Sequence, residues 1–399
     1  MNRSRALTQL TASSLVLSLP SLSLTLPAPA LAAGSKAPVN VGLIYSKTGL
    51  LASYGAQYAE GFRIGLDYVT HGTGVVDGHK IVVTEHDDAG DPAKAVAAAK
   101  DLIGQGYKII AGTTASGVAL QLAPLAKENQ VLFISGAAAA DGITGNNRYT
   151  FRSGRQTYQD VATSAAIVGN MRGKSVLVFA QDSAFGQANA KAVEAVLRPE
   201  GASVSGLFVP LSANDFTPFA QKAKDAKADL VFVAWAGTTA AAMWRSLDDQ
   251  GVFGVSKVVT GLDQRASYPT FAPVAAKLTF LSHYFYQGPK SKTNDYLVAA
   301  LKKAGKAPDL FDPDGFVAAQ MVAHAVAKTG GDDVNAMISA LEGWSFEAPK
   351  GHQTIRAADH AMLQPMFVAR LEDSNGSIEP KLIKVFSPQA VAPPIRPFK

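Results

Sequence analysis

The chain contains no cysteine in its 399 residues. This absence excludes disulfide bonds, thiolate metal sites and a cysteine nucleophile. It also excludes a lipidated cysteine as a membrane anchor, so we expect the mature chain to be untethered.

Charged residues are scarce, at 17% of the chain, while hydrophobic residues make up 47%. The 37 Lys and Arg residues and 32 Asp and Glu residues give a formal net charge of +5, and the lysines are scattered without a basic run. Such a composition is typical of a well-packed globular protein. It argues against nucleic acid as a partner, because phosphate binding needs clustered basic side chains.

Motifs for catalysis and metal binding are also missing. No serine stands in G-x-S-x-G or S-x-x-K, and no H-E-x-x-H pattern occurs among the seven histidines. Gly173-Lys174-Ser175 is not a phosphate loop, because Val168 stands where that motif needs a glycine. Asp87–Asp91 lacks the alternating ligands of a calcium loop. We therefore expect that the protein is not an enzyme and that it binds no cofactor and no metal ion. The alternative is a hydrolase whose catalytic residues come from distant segments, and a screen of substrates tests it.

Long apolar runs are confined to the N-terminus, where residues 1–33 read as a secretory signal peptide. Arg3 and Arg5 precede an apolar stretch, Leu15–Leu26, and Ala30-Leu31-Ala32 offers a cleavage signature. Pro20 and the short apolar core argue against a transmembrane anchor. We expect an exported protein in a compartment that retains it, namely the periplasm.

After residue 33, strand-like and helix-like segments alternate. The predicted strands are Val39–Tyr45, Lys80–Glu85, Lys108–Ala111, Val131–Ser135, Ser175–Ala180, Val204–Val209, Leu230–Trp235, Val258–Gly261 and Leu278–Tyr286. The predicted helices are Ala56–Tyr68, Pro92–Ile103, Val118–Asn129, Tyr158–Met171, Phe185–Leu197, Phe216–Ala226, Asp312–Thr329 and Asp333–Leu341. Repeated βα units indicate parallel sheets with helices on both faces, and this many strands favours two sheets. The fold class is therefore α/β, with two doubly wound parallel-sheet lobes.

The stretch Lys108–Ala140 carries the strongest functional signal. An apolar strand runs into the small-residue turn Gly112–Ser116, a helix follows, and a second apolar strand ends in another small-residue turn. Two such turns at the carboxyl ends of strands form the crevice in which open α/β sheets bind ligands. Ser116 stands where the helix begins, beside free N–H groups that suit a carboxylate or phosphate. The alternative is that Ser116 merely caps its helix.

The order and spacing of seven segments resemble the type I periplasmic solute-binding proteins of branched-chain amino acid ABC importers. The resemblance covers essentially the whole mature chain. It rests on the segments Val39–Phe62, Glu85–Val96, Ile109–Ala119, Val131–Asp141, Tyr149–Ser153, Asp182–Ala188 and Ala228–Gly237. It implies a Venus-flytrap receptor in which two lobes close on a solute, deliver it to permease and ATPase subunits at the membrane, and perform no chemistry.

The resemblance also implies a set of ligand-binding residues. Ser116 would hold the ligand carboxylate with the backbone of Ala137 and Ala139, and Asp263 would face the ligand ammonium in place of the usual glutamate. Four aromatic or polar positions would line the cleft. These are Tyr54, Phe185, Phe316, and Trp235 or Thr238. Without the resemblance, Asp263 could be a turn cap and the aromatic residues could be ordinary core residues.

Three departures from the resemblance bear on the ligand. Ala139 stands where amino-acid binders commonly have threonine, and Phe185 and Phe316 stand where tyrosines are common. A ligand ammonium would then depend on Asp263 and backbone carbonyls, and each missing hydrogen bond costs about 1–3 kcal/mol. The expected ligand is a small carboxylate, either a branched-chain or other apolar amino acid, or an aromatic acid. A sensory module of the same fold is a further alternative.

The predicted organisation divides the chain into five parts. Residues 1–33 form the signal peptide, 39–155 and 287–350 form lobe 1, and 156–286 and 351–390 form lobe 2. Residues 391–399, rich in proline, are predicted to be a loose tail. Within 351–390, Gly351–Arg370 and Lys381–Phe386 are predicted to pair as strands. The molecule is expected to be a monomer.

Overall fold

The structure is a computed structural model, and it describes residues 36–398. The predicted signal peptide, residues 1–33, lies outside the described residues. Within 36–398 the strands are Lys36–Tyr45 (β1), Val75–Val76 (β2), His79–Asp87 (β3), Ile109–Gly112 (β4), Leu132–Ser135 (β5), Thr150–Arg152 (β6), Ser175–Gln181 (β7), Ser203–Val209 (β8), Leu230–Ala234 (β9), Lys257–Gly261 (β10), Thr279–Ser282 (β11), Ser345–Ala348 (β12), Gly351–Ile355 (β13), Met362–Leu363 (β14), Met366–Ser374 (β15) and Ser377–Phe386 (β16).

Helices alternate with these strands along most of the chain. The α-helices are Ala52–Thr70 (α1), Pro92–Gly104 (α2), Ser116–Asn129 (α3), Thr157–Val168 (α4), Ala184–Leu197 (α5), Thr217–Asp225 (α6), Ala240–Asp249 (α7), Tyr268–Phe271 (α8), Lys292–Lys303 (α9), Asp312–Thr329 (α10) and Val334–Leu341 (α11). Short 3₁₀ turns are Asp141–Ile143, Val252–Gly254, Arg265–Ser267, Ala275–Lys277 and Pro388–Val391. The predicted helices agree with their counterparts to within a few residues at each end, and α7, α8 and α9 are not among the predicted helices.

Two main sheets define two lobes. The first has the order β2-β3-β1-β4-β5-β6, and all its pairs are parallel except β2 with β3. The second has the order β16-β15-β11-β10-β9-β7-β8, with antiparallel pairing only at β15 and β16. The central strands β4, β5 and β9 are entirely buried, as expected for parallel strands covered by helices on both faces. The predicted two-lobed α/β fold is confirmed.

Helices α1 and α10 pack unusually closely in the first lobe, and two glycines make this possible. A Cβ on Gly61 would lie 1.9 Å from the carbonyl oxygen of Asp312, and one on Gly315 would lie 1.9 Å from that of Tyr58. Both distances are far inside van der Waals contact, so only glycine fits at either position. The close packing brings the start of α10, and the loop before it, against the helix that carries Tyr54.

The C-terminal part of the chain differs from the predicted strand pair. Gly351–Arg370 is not one strand: β13 and β14 form a separate small sheet with β12, and only β15 and β16 join the second lobe. Ile355 and Met362 are buried in the core of the first lobe, so the side chains of residues 351–363 contribute to that core. Alternating buried positions alone could not distinguish these two sheets.

The predicted loose tail, residues 391–399, is held in place over residues 391–398. The Nη1 atom of Arg356 donates to the carbonyl oxygen of Pro393 at 2.8 Å, and the backbone N–H of Arg396 donates to the Asp359 carboxylate at 3.0 Å. The prediction of looseness is wrong because proline-rich composition indicates the lack of regular structure, and not the lack of partners.

Candidate functional site

Ser116 begins helix α3 but does not cap it. The cap position is Ala115, which has no side-chain oxygen, and no side-chain cap bond is present there. Instead the Ser116 Oγ accepts hydrogen bonds from the backbone N–H groups of Ala139 and Ala140, each at 3.2 Å. These bonds join the two small-residue turns that follow β4 and β5. Because the oxygen accepts twice, the hydroxyl hydrogen is left to donate to a ligand.

A cavity of about 590 Å³ lies between the two lobes, beside these turns. Its volume suits a small organic molecule. The structure brings seven of the nine predicted site residues to its wall. These are Tyr54, Ser116, Ala137, Ala139, Phe185, Trp235 and Asp263.

Two predicted residues do not line the cavity. Phe316 is fully buried behind it, in a cluster with Tyr284, because it lies on α10 beyond the helix start. Phe311, in the loop before α10, lines the cavity instead, with its ring centroid 4.7 Å from that of Tyr54. Thr238 is exposed, and its backbone N–H donates to the carbonyl oxygen of Leu50 at 3.3 Å, so it joins the lobes outside the cavity.

Asp263, in the loop after β10, forms a direct contact between the lobes. The Tyr54 hydroxyl donates to its Oδ1 at 2.7 Å, and the backbone N–H of Gln264 donates to the same oxygen at 2.7 Å. The backbone N–H of Gly237 donates to the Tyr54 oxygen at 3.2 Å. Burial raises the pKa of Asp263 above its ordinary value, although these hydrogen bonds favour the ionised form. The lobes are therefore in contact around the cavity, and Asp263 can accept a ligand N–H or O–H through its second oxygen.

Three ionisable residues of the cavity wall were not predicted from the sequence. They are Arg155, Asp160 and His283. The Nη1 atom of Arg155 donates to the carbonyl oxygen of Ala137 at 3.0 Å, and its Nε lies 3.3 Å from Asp160 Oδ2. Burial raises the pKa of Asp160 to about 6, although the Arg155 charge acts in the opposite direction. The sequence offered one indication of them, namely that Arg155 and Asp160 are two opposite charges close together in the segment that follows β6.

His283 is a neutral part of the same wall. Its Nε2 lies 3.1 Å from the carbonyl oxygen of Leu310, and burial lowers its pKa well below the ordinary value. Arg155 and Lys350 act in the same direction, because a second positive charge nearby disfavours the imidazolium form.

Asp309 is a second acidic contact between the lobes. Its carboxylate accepts from the backbone N–H of Arg265, at 3.1 and 3.2 Å, and from Gln57 Nε2 at 3.2 Å. Burial is the main cause that raises its pKa to about 7.

Asp309 should make the protein less stable as the pH rises from about 4 to about 7. The folded state holds the proton more tightly than the unfolded chain, whose carboxyl has a pKa near 3.8, so stability falls across this window. The slope due to one such group is at most about 1.4 kcal/mol per pH unit. Urea unfolding at several pH values should show a flatter dependence for Asp309→Asn, while the exposed Asp225→Asn keeps the wild-type slope. An Asp309→Asn protein with the wild-type slope would contradict the assignment.

Residues 36–398 contain no cluster of three or more His, Asp or Glu side chains that could hold a metal ion. Over the same range, none of the helices combines the length and the apolar character needed to cross a membrane.

Two α/β lobes in contact around a cavity, with a hydroxyl donor at one wall and a carboxylate at the other, define a solute-binding protein. The chain belongs to the periplasmic binding protein family, whose sequence profile matches residues 38–377. Members of this class bind small ligands and work with the permease of an ABC transporter. The family predicted from the sequence is thereby confirmed.

Individual relatives are similar over most of their length. The crystal structure of an ABC-type branched-chain amino acid transporter from Rhodopseudomonas palustris is 32% identical; the match covers 90% of this chain and 100% of that one, with a TM-score of 0.74. A solute-binding protein of R. palustris, crystallised with 3,4-dihydroxybenzoic acid, is 28% identical over 88% of this chain and 97% of that one, with a TM-score of 0.78. The Leu/Ile/Val-binding protein homolog 3 of Brucella melitensis is 25% identical over 77% of this chain and 84% of its own.

Proposed function

We propose that this protein captures a small carboxylate with an apolar body between its two lobes and presents it to an importer permease. The observation that carries the proposal is the Ser116 hydroxyl, whose oxygen is held by two backbone N–H groups at the cavity wall. Its hydrogen is thereby free to donate to an anion. Asp263 faces the same cavity from the other lobe and supplies an acceptor for the ligand's own donor.

The cavity favours an apolar ligand body. Part of the cavity wall is aromatic and consists of Phe185, Trp235 and Phe311. The Trp235 ring is fixed by a hydrogen bond from its Nε1 to Thr239 Oγ1 at 3.0 Å. Rigid aromatic walls suit branched or aromatic groups. Branched-chain and other apolar amino acids are the leading ligand class, in keeping with the relatives named for leucine, isoleucine and valine.

Aromatic acids are the second candidate class. Ala139 offers no hydroxyl to an ammonium, and an aromatic acid does not need one. A neighbour 28% identical to this chain was crystallised with 3,4-dihydroxybenzoic acid. In this case Asp263 would accept from a ring hydroxyl.

Several finer properties belong to the same proposal. The protein acts as a monomer without catalysing a reaction, and residues 1–33 direct it to the periplasm as a cleaved signal. Lobe 1 comprises residues 36–155 and 287–363, and lobe 2 comprises residues 156–286 and 364–390.

Thermal unfolding in the presence of a ligand panel tests the proposal. The panel contains leucine, valine, phenylalanine, benzoate and 4-hydroxybenzoate. Leucinamide and 4-hydroxybenzamide are the controls, because in each of them a neutral amide replaces the carboxylate. A ligand at 100 times its Kd adds about 2.7 kcal/mol to the free energy of unfolding. We expect at least one acid to raise Tm by several degrees and its amide to have little effect. A panel in which no acid shifts Tm at millimolar concentration would contradict the proposed function.

A further inference from the structure

We propose that Arg155 is the cation that binds the ligand carboxylate, and that Asp160 is the counter-ion that pairs with Arg155 when no ligand is bound. This inference rests on the proposed function, because it assigns the charge partner of the carboxylate in the same cavity. It adds a charged subsite to the Ser116 hydroxyl.

Arg155 is buried with most of its hydrogen-bonding capacity unused. Its side chain is 9% exposed, and within residues 36–398 it makes one hydrogen bond, from Nη1 to the Ala137 carbonyl oxygen. Its Nε is buried without a hydrogen-bond partner in that range. A guanidinium has five N–H donors, and a buried charge is stable only when it is paired and hydrogen-bonded. The side chain lines the cavity, so a bound anion can use the remaining donors.

Arg152, three residues earlier, differs from Arg155 because the protein itself satisfies its guanidinium donors. It is fully buried, and its three nitrogens donate to Thr144 Oγ1, to the Arg155 carbonyl oxygen and to the Ala140 carbonyl oxygen, at 2.9 to 3.0 Å. Its donors are directed to the protein, and it does not line the cavity. The two arginines therefore have different roles: Arg152 holds the turn in place, and Arg155 faces the ligand space.

The carboxylate of Asp160 makes few contacts other than the one with Arg155, so a ligand could replace it as the partner of Arg155. Its side chain is 6% exposed, Oδ2 contacts Arg155 Nε at 3.3 Å, and Oδ1 has no hydrogen-bond partner within residues 36–398. The neighbouring charges are engaged elsewhere: Asp141 accepts from Gln156, Thr157 and Tyr158, and Lys350 pairs with Asp314. The carboxylate of a ligand would compete with Asp160 for Arg155.

Arg155 and Ser116 act on the same turn. Arg155 binds the carbonyl oxygen of Ala137, and Ser116 binds the N–H groups of Ala139 and Ala140. The Phe311 ring lies 5.7 Å from the Arg155 guanidinium carbon and limits its movement. A carboxylate beside this turn would receive an O–H from Ser116 and N–H groups from Arg155. The site is therefore specific for the anion over a neutral amide of the same shape.

Calorimetric titration of four probes tests the assignment: leucine, leucinamide, 4-hydroxybenzoate and 4-hydroxybenzamide. The measured quantity is the ratio of the Kd of the amide to that of its acid. We expect Arg155→Gln to lower this ratio at least tenfold, and Asp160→Asn to tighten acid binding severalfold by removing the competing carboxylate. Arg198→Gln, an exposed change on the second lobe, should leave both quantities at their wild-type values.

The outcomes separate this inference from the function on which it rests. An Arg155→Gln protein that keeps the wild-type ratio would show that Arg155 only positions the turn. If that variant does not fold, Asp160→Asn decides, and unchanged or weaker acid binding overturns the assignment. A wild-type protein that binds neither acid, or binds each no better than its amide, removes the carboxylate proposal itself.

Discussion

Replacing Lys350 by methionine is expected to lower the free energy of unfolding by about 3–5 kcal/mol, because the change leaves a buried carboxylate without its cation. The Lys350 ammonium is fully buried; it donates to the Asp314 carboxylate and, at 2.8 Å, to Gln364 Oε1. Burial lowers the pKa of Lys350, and the Asp314 charge opposes this shift. Urea unfolding monitored by circular dichroism measures the loss.

The Lys350–Asp314 pair also supports the binding cavity. A Cβ on Gly154 would lie 2.6 Å from Asp314 Oδ2, so the crossover that carries Arg155 rests directly on this carboxylate. Lys381→Met is the matched control: that lysine forms an exposed ion pair with Glu372, and its loss should change stability by about 0.5 kcal/mol or less. A loss below about 1 kcal/mol for Lys350→Met would contradict the role given to the buried pair.

Ser116→Ala should weaken the binding of a carboxylate ligand about 10- to 150-fold. The variant loses a hydrogen bond to a charged group, worth about 1.5–3 kcal/mol, and leaves the N–H groups of Ala139 and Ala140 without their acceptor. Calorimetry with the acid that gives the largest thermal shift measures the change in Kd.

Ser164→Ala is the matched control for this loss. Its hydroxyl is also buried, but it lies on α4 outside the cavity wall and has no hydrogen-bond partner within residues 36–398. We expect the Kd of this variant to match that of the wild type. An Ser116→Ala protein whose Kd stays within threefold of the wild type would show that the hydroxyl does not contact the ligand.

The parts of the site that follow regular elements were predictable from the sequence. Ser116 was found because a strand, a small-residue turn and a helix start are local patterns, and such turns lie at the carboxyl ends of parallel strands. Tyr54 and Asp263 needed the resemblance to a family, because no local pattern says that residues 209 positions apart will share a hydrogen bond.

Other parts of the site depend on tertiary packing. The resemblance implied Phe316 as a cleft residue, but Phe311 lines the cavity instead. The close packing of α10 on α1 decides which of these two aromatic residues faces the cleft. Arg155 and Asp160 lie where the chain crosses between the sheets, and there hydrophobic periodicity gives no information about which side chains point inward. Their importance follows from burial and from unused hydrogen-bonding groups, which only a structure reveals.

The proposed function requires the two lobes to close on a small carboxylate. Because the chain has no cysteine, Lys94→Cys on the first lobe and Ser212→Cys on the second would be its only thiols, and both positions are exposed. Spin labels at these two sites report the distance between the lobes. We expect a shorter and narrower distance distribution with saturating leucine or 4-hydroxybenzoate than without ligand. An identical distribution in both states, with ligand binding verified by calorimetry, would contradict capture by lobe closure.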